Sequence, residues 1–454
     1  MLQKIEKILF YIFLFLIPFQ IRATISWQGS EWSSVFLYLT DLLLVGVFIF
    51  AIINTKLKGL RFKKSDFILI LFFLVAAISL FKSVDLGNSA YRLIKLLEFI
   101  GLYVYIMYRK EFLGLNGILK VIFASGVFQA ILAIAQFYKQ GSLGLKFIEA
   151  GSYTPGEAGV ATFISGTEKV MRAYGSFPHP NVLAAFLFLA IFCFYCLWLS
   201  GALKGKKNYI LYPISYFLLV FALFLTFSRE VILTFVFVSF AFFIIRFFQL
   251  RTFYHTDERL IVGKRMMALA LFFVIFSIIS AIIVLPYLKT RFTGISVNEE
   301  AINLRFFYNK MATEMIKEKP ILGIGIGNFA NYSREFPAYI RAAKKIANAG
   351  GATGKEIPEW LYQPAHNIYL LIAAEIGIFG ALIFIIFVLK KFLRAIKPIK
   401  PKELVDLIGP MPFVFLGLLI IGLSDHFSWT LQSGGLILWT ALALMESGHT
   451  ENGN

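Results

Sequence analysis

QPAHNIYLLIAAEIGIFG, residues 363–380, sets a histidine and an asparagine, His366 and Asn367, directly in front of a long apolar run that only Glu375 interrupts with a charge. Runs of this kind recur along the chain and do not alternate with period two. They read as helices of bilayer-spanning length, about 20 residues. In hydrocarbon a segment must satisfy its own backbone polar groups, which leaves helices or closed barrels, and unbroken runs select helices. The chain has 454 residues, 59% hydrophobic and 15% charged, against roughly 45–50% and about 25% in a soluble domain. The expected fold class is an all-α integral membrane protein.

Working outward, apolar runs predict about twelve transmembrane helices, at 8–21, 36–54, 67–82, 92–108, 117–138, 181–199, 209–227, 230–245, 266–288, 367–389, 404–423 and 435–446. The first has a basic start (Lys4, Lys7) but no small-residue cleavage site, and it reads as a retained helix. One set of loops is strongly basic: Lys56 to Lys64, Arg109 and Lys110, Lys204 to Lys207, Arg246 to Arg265, and Lys390 to Lys402. By the positive-inside rule these loops and both termini are cytoplasmic. Most of the net charge of +18 therefore belongs to membrane topology, and no nucleic-acid partner is implied.

The domain organisation that follows is nine helices over 1–288, a shorter periplasmic loop near 139–180, a large loop or cap over 289–366, and three helices with the C-terminus over 367–454. In the cap, NLRFFYNKMATEMIKEKP from Asn303 has helical spacing. RAAKKIANAGGATGK from Arg341 reads as a flexible solvated connector. GIGIGN, Gly323 to Asn328, lacks the strand–loop–helix context of a dinucleotide loop, and its glycines read as tight turns. Cys193 and Cys196 sit inside an apolar run and read as inert buried thiols. No metal or cofactor is implied.

Three arginines stand at span entries on the non-cytoplasmic side. Arg172 lies in VMRAYGSFPHPNVLAAFL, where Gly, Pro and Asn make a rigid turn into a helix at Asn181. Arg229 lies in LTFSREVIL, and Arg305 opens the cap helix. Each has a structural alternative: a turn-stabilising role for Arg172, a local ion pair with Glu230 or snorkelling to the interface for Arg229, a surface position for Arg305. Guanidinium groups suit bidentate phosphate recognition, and an imidazole such as His366 is the usual general base near neutral pH. Asn367 also reads as a helix cap. Among the other histidines His426, in SDHFSW, stands on the same side. Glu375, nine residues beyond His366, points elsewhere on the helix and reads as structural.

RAYGSFPHPNVLAAF, LTFSRE, RFFYNKMATEMIKEKPILGIGIGNF and PAHNIYLLIAAEIGIFG together resemble the O-antigen ligase and O-antigen polymerase superfamily. The last three fall in its core, roughly residues 215–390. The resemblance implies a C-type glycosyltransferase of the bacterial inner membrane. Its donor is a glycan on undecaprenyl diphosphate, its acceptor lipid A-core or another glycan, its active site periplasmic and metal-independent. Carried over, His366 matches the family's proposed catalytic histidine, and Arg172, Arg229 and Arg305 match its motif arginines. The expected roles are diphosphate binding for the three arginines, with Asn367, Asn181 and His179 supporting. Membrane lipids are further partners. Glu230 departs from the family, which commonly places a small residue after the SR pair.

Ligase activity is the leading expectation. Polysaccharide polymerase and protein O-oligosaccharyltransferase remain open beside it, since all need a diphosphate clamp and an acceptor base. A flippase would want paired charges at mid-membrane, for which Lys95 and Glu98, three residues apart, are the candidates.

Overall fold

A computed structural model describes residues 1–55, 66–157, 159–203, 208–253, 256–293, 300–349, 357–396 and 409–447. Helices form at every apolar run anticipated above. Among the described residues, five helices are long and apolar enough to cross a membrane: Leu115–Lys139, Pro180–Leu199, Arg229–Leu250, Leu260–Ile283 and Ile368–Ala395. Shorter apolar helices occupy Leu39–Thr55, Phe67–Lys82, Ile210–Leu225 and Met411–Ile421. Much of the basic-loop set, Lys56 to Lys64, Lys204 to Lys207 and Lys397 to Lys402, lies outside the described residues.

Pro180–Leu199 is the axis of the bundle. It is apolar all round, and Pro180 to Leu197 are all buried, as expected of a helix with partners on every face. It packs on Leu115–Lys139, Asn208–Leu225 and Met411–Ile421. Its start follows from His179-Pro180: proline at the first helical position gives up an amide that has no intrahelical partner anyway, and His179 Nδ1 accepts the Asn181 amide at 3.2 Å.

Several features depart from the sequence reading. The first helix is Leu2–Leu16 instead of 8–21, ending just before Pro18. Two antiparallel hairpins qualify the all-α expectation: Arg22–Ser26 with Val35–Tyr38, and Thr162–Ser165 with Glu168–Met171. The connector expected from Arg341 is largely a helix, Pro337–Ala349. Tyr339, Ala343 and Ala347, at spacing four, form its buried face, while the rest of that stretch, 350–355, lies outside the described residues. Lys95 is paired with Glu98 at 3.2 Å as the spacing allowed, but it also bonds Asp41 on another helix. The two cysteines are free and buried.

The largest departure concerns 367–389. The helix Ile368–Ala395 is broken at Gly377, with φ 81° and ψ 167°. GIGIGN docks into the break. Ile324 and Gly325 donate to the carbonyls of Ala374 and Glu375 at 3.0 and 2.9 Å, and Ile378 donates to Pro320 O at 2.9 Å. A helix break strands carbonyls and amides that water cannot reach, so a second backbone must satisfy them. Glycine is required on both sides: a Cβ at Gly377 would lie 2.0 Å from Ile321 O, and one at Gly323 would lie 2.5 Å from the Glu375 carbonyl. The described residues of 300–365 thereby pack on the head of the Ile368–Ala395 helix, in a hydrophobic cluster built on Tyr308, Met311, Met315, Phe329 and Tyr339 with Leu371 of that helix.

Candidate active site

Arg172, His179, Asn181, Arg229, Arg305 and His366 line one cavity, open at its mouth. They come from four separated stretches, and three local devices aim them. Arg172 follows the second hairpin, and the next amide, Ala173, donates to Leu225 O at 3.1 Å. Arg229 follows a turn in which Phe227 has φ 48°, a strained state for a bulky residue, by about 1–2 kcal/mol. Rings of Phe163, Phe137 and Tyr287, at centroid distances of 4.6, 5.7 and 6.2 Å, hold Phe227 there. Arg305 projects from the helix Glu300–Glu318.

Asn181 is the hub of the polar network. Its Oδ1 accepts Arg172 Nη2 at 2.6 Å, and its Nδ2 donates to Asp425 at 2.7 Å and Glu230 at 3.1 Å. Arg172 Nε also donates to Thr226 O at 2.6 Å. Glu230 accepts from Ser424 Oγ at 2.8 Å and pairs with Arg305 at 3.3 Å. The acid after the SR pair thus bridges to the cap helix. Asn367 does not line the cavity. It caps its helix, accepting the amides of Tyr369 and Leu370 at 3.0 Å each, which is the capping role its position suggested.

His366 is held by rings. Tyr308 stacks on it at 5.5 Å and 17°, and His426 meets it edge-on at 4.6 Å and 85°. Its Nδ1 is sealed from solvent and has no hydrogen-bond partner among the described residues. Burial, with His426 beside it, pushes the His366 pKa down to about 3. Burial and Arg172 do the same to His179. Burial lowers His426 to about 4 against the pull of Asp425. All three imidazoles are therefore neutral near pH 7, the form able to accept a proton.

Asp425 and His426 also line the cavity. Burial alone would raise the Asp425 carboxyl, but His426, His366, Arg305 and His179 more than offset it and hold the group well below the usual carboxylate range. Its Oδ1 accepts the His426 amide at 2.7 Å. Sequence reasoning noticed His426 and passed over Asp425. The one signal was an acid next to a histidine at the end of an apolar run, and nothing local brings that run against Asn181, 244 residues earlier.

Glu375 lies outside this cavity and answers for its own burial differently. It is 2% exposed, and it accepts Trp429 Nε1 at 2.8 Å and the Phe329 amide at 3.4 Å. Trp429 sits on the one-turn helix Phe427–Thr430, and its amide donates to His426 O at 2.9 Å. Glu375 shares a helix with the His366 entry. The carboxylate therefore pins the element carrying one cavity histidine to the element carrying the other.

Residues 214–385 match the family model described as O-Antigen ligase. Over this region the chain is similar to the O-antigen ligase/polymerase superfamily, a family of glycosyltransferase-like membrane enzymes. The match takes in Arg229, Arg305 and His366 and stops short of Arg172, Asn181, Asp425 and His426. No curated protein matches the chain.

Proposed function

We propose that this chain transfers a glycan from undecaprenyl diphosphate to an acceptor hydroxyl, in the first instance as an O-antigen ligase acting on lipid A-core. The observation that carries the reading is the convergence of Arg172, Arg229, Arg305 and His366 on one cavity. Charge develops on the diphosphate as the anomeric carbon–oxygen bond breaks, and fixed guanidinium groups aimed at it lower the barrier. Arg172 is held by two hydrogen bonds of 2.6 Å, so little reorganisation is needed there. His366, neutral and lining the cavity, takes the proton of the attacking hydroxyl. Direct displacement inverts the anomeric centre, and no step calls on a metal. The reading places twelve spans in the inner membrane, both termini in the cytoplasm, and the cavity and the 289–366 cap on the periplasmic face.

The test is a purified transfer assay with a defined undecaprenyl-diphosphate glycan, chelator present, and lipid A-core, a second lipid-linked repeat unit or an acceptor protein in parallel. Transfer to lipid A-core is expected; chain extension or protein modification would reassign the acceptor within the same chemistry. His366→Ala and Arg305→Ala are expected to abolish transfer while the protein inserts normally. Parental turnover by either variant would refute the assignment.

A further inference from the structure

A second pocket, open to solvent, abuts the first, and Glu31, Trp32 and Leu431 belong to the lining of both. The mechanism above uses nothing inside it. Its walls are the first hairpin, the helix Leu86–Leu113, the GIGIGN segment and residues 428–432. Arg92 fastens these walls together, donating to Thr430 O at 2.7 Å and Trp32 O at 3.2 Å. The space is thus formed before any ligand arrives.

Its chemistry is specific. Trp32, Tyr38, Tyr91 and Trp429 supply aromatic rings, whose electron-rich faces attract polarised C–H groups. The charges are largely balanced: Lys95 is bonded to Asp41 and Glu98, and Arg22 to Glu31. That balance disfavours an anion, and the polar groups disfavour an acyl chain. Gln432, 6% exposed, lines the cavity. Its Nε2 donates to Asp41 Oδ1 at 2.6 Å, and a carboxylate paired with a lysine accepts only, which fixes the nitrogen end of the amide. The other end, Oε1, is buried with no hydrogen-bond partner among the described residues. A buried acceptor of this kind calls for a donor. A neutral polyol with apolar ring faces and O–H donors meets all of these conditions, and a pyranose is such a molecule.

We propose that the second cavity is the acceptor subsite, holding a pyranose of the acceptor glycan against its aromatic wall with a hydroxyl on Gln432 Oε1. This rests on the transferase reading above. The shared wall supplies the link: Trp32 meets His426 edge-on at 5.0 Å, and His426 meets His366 at 4.6 Å. An acceptor hydroxyl reaching past Trp32 arrives at the imidazole pair. Its oxygen bonds the anomeric carbon, its proton passes to His366, and the cleaved carbon–oxygen bond leaves its electron pair on the lipid diphosphate.

Two measurements on the full chain test this. First, benzophenone-alanine replaces Tyr91, with a control at Ile94, which is 63% exposed and lines neither cavity. Irradiation in native membranes, which carry the cell's own glycans, is expected to attach carbohydrate at position 91 and not at 94. The adduct mass should lack polyprenyl diphosphate, which separates acceptor from donor. Second, Tyr91→Leu and Gln432→Leu are expected to raise the acceptor KM about tenfold, the loss of one ring contact or one hydrogen bond, with donor KM unchanged. Tyr91→Leu spares the Asp41 bond and guards against misfolding of the other variant. Absence of the adduct, or a rise in donor KM instead, overturns the proposal. A glycan adduct on a protein that transfers nothing would leave the subsite standing and remove the transferase reading.

Discussion

Gly377→Ala tests the feature on which the site's framework depends, the break in the Ile368–Ala395 helix. At φ 81° and ψ 167° the backbone occupies a region essentially reserved for glycine, and an alanine there costs about 1–3 kcal/mol. The added Cβ would also sit 2.0 Å from Ile321 O and 2.5 Å from Ile321 C, so residues 320–325 must retreat. Retreat removes the three backbone hydrogen bonds to Ala374, Glu375 and Ile378, each a net 0.5–1.5 kcal/mol or so. The sum is about 3–7 kcal/mol, a large part of a typical stability, and it lowers a thermal midpoint by on the order of 10 °C. The assay is a thermal scan of the purified protein in detergent or nanodiscs. Gly263→Ala is the control: no heavy atom lies within 4 Å of the added Cβ, and in a helix alanine gains up to about 1 kcal/mol over glycine. A Gly377→Ala midpoint within about 2 °C of the parent, equal to the control, would refute the interlock and with it the account of how the cap is seated.

Four further outcomes are expected. Glu375→Ala should lower the transfer rate with KM unchanged and speed amide exchange in both 363–372 and 423–432, while Glu375→Gln, able to keep the Trp429 bond, should restore both; exchange confined to one segment removes the pinning role. Glu230→Gln withdraws the carboxylate paired with Arg305 and should tighten donor binding about threefold, read as donor KM at low salt; the pair is part-exposed, so the effect is modest. The buried histidines make stability fall on acidification. With pKa values of about 3, 3 and 4 for His179, His366 and His426, against about 6.5 unfolded, the unfolded chain binds more protons as pH drops below 6.5. Each group then contributes up to about 1.4 kcal/mol per pH unit, and His366→Phe should flatten the midpoint-versus-pH curve between pH 6.5 and 4. Finally, transfer should persist in excess chelator, measured with the undecaprenyl-diphosphate donor; loss restored by a divalent cation would contradict a guanidinium clamp.

Much of this was legible in one dimension because it depends on local composition and spacing. Apolar runs longer than a soluble helix needs, proline after His179, asparagine before Ile368 and glycines from 323 to 327 each constrain their own neighbourhood, whatever the rest of the chain does. The candidate residues Arg172, Arg229, Arg305 and His366 were visible because ionisable groups at the ends of apolar segments are costly and rarely idle. What no window of sequence contained was pairing across distance. Asp425 meets Asn181 only because the bundle closes. Glu230 meets Arg305, 75 residues later, only through the fold. The run from Ile368 read as unbroken because apolarity reports on the surroundings of a helix and is silent on its hydrogen bonds. Only the folded chain shows a second backbone, 320–325, entering at Gly377 to satisfy them.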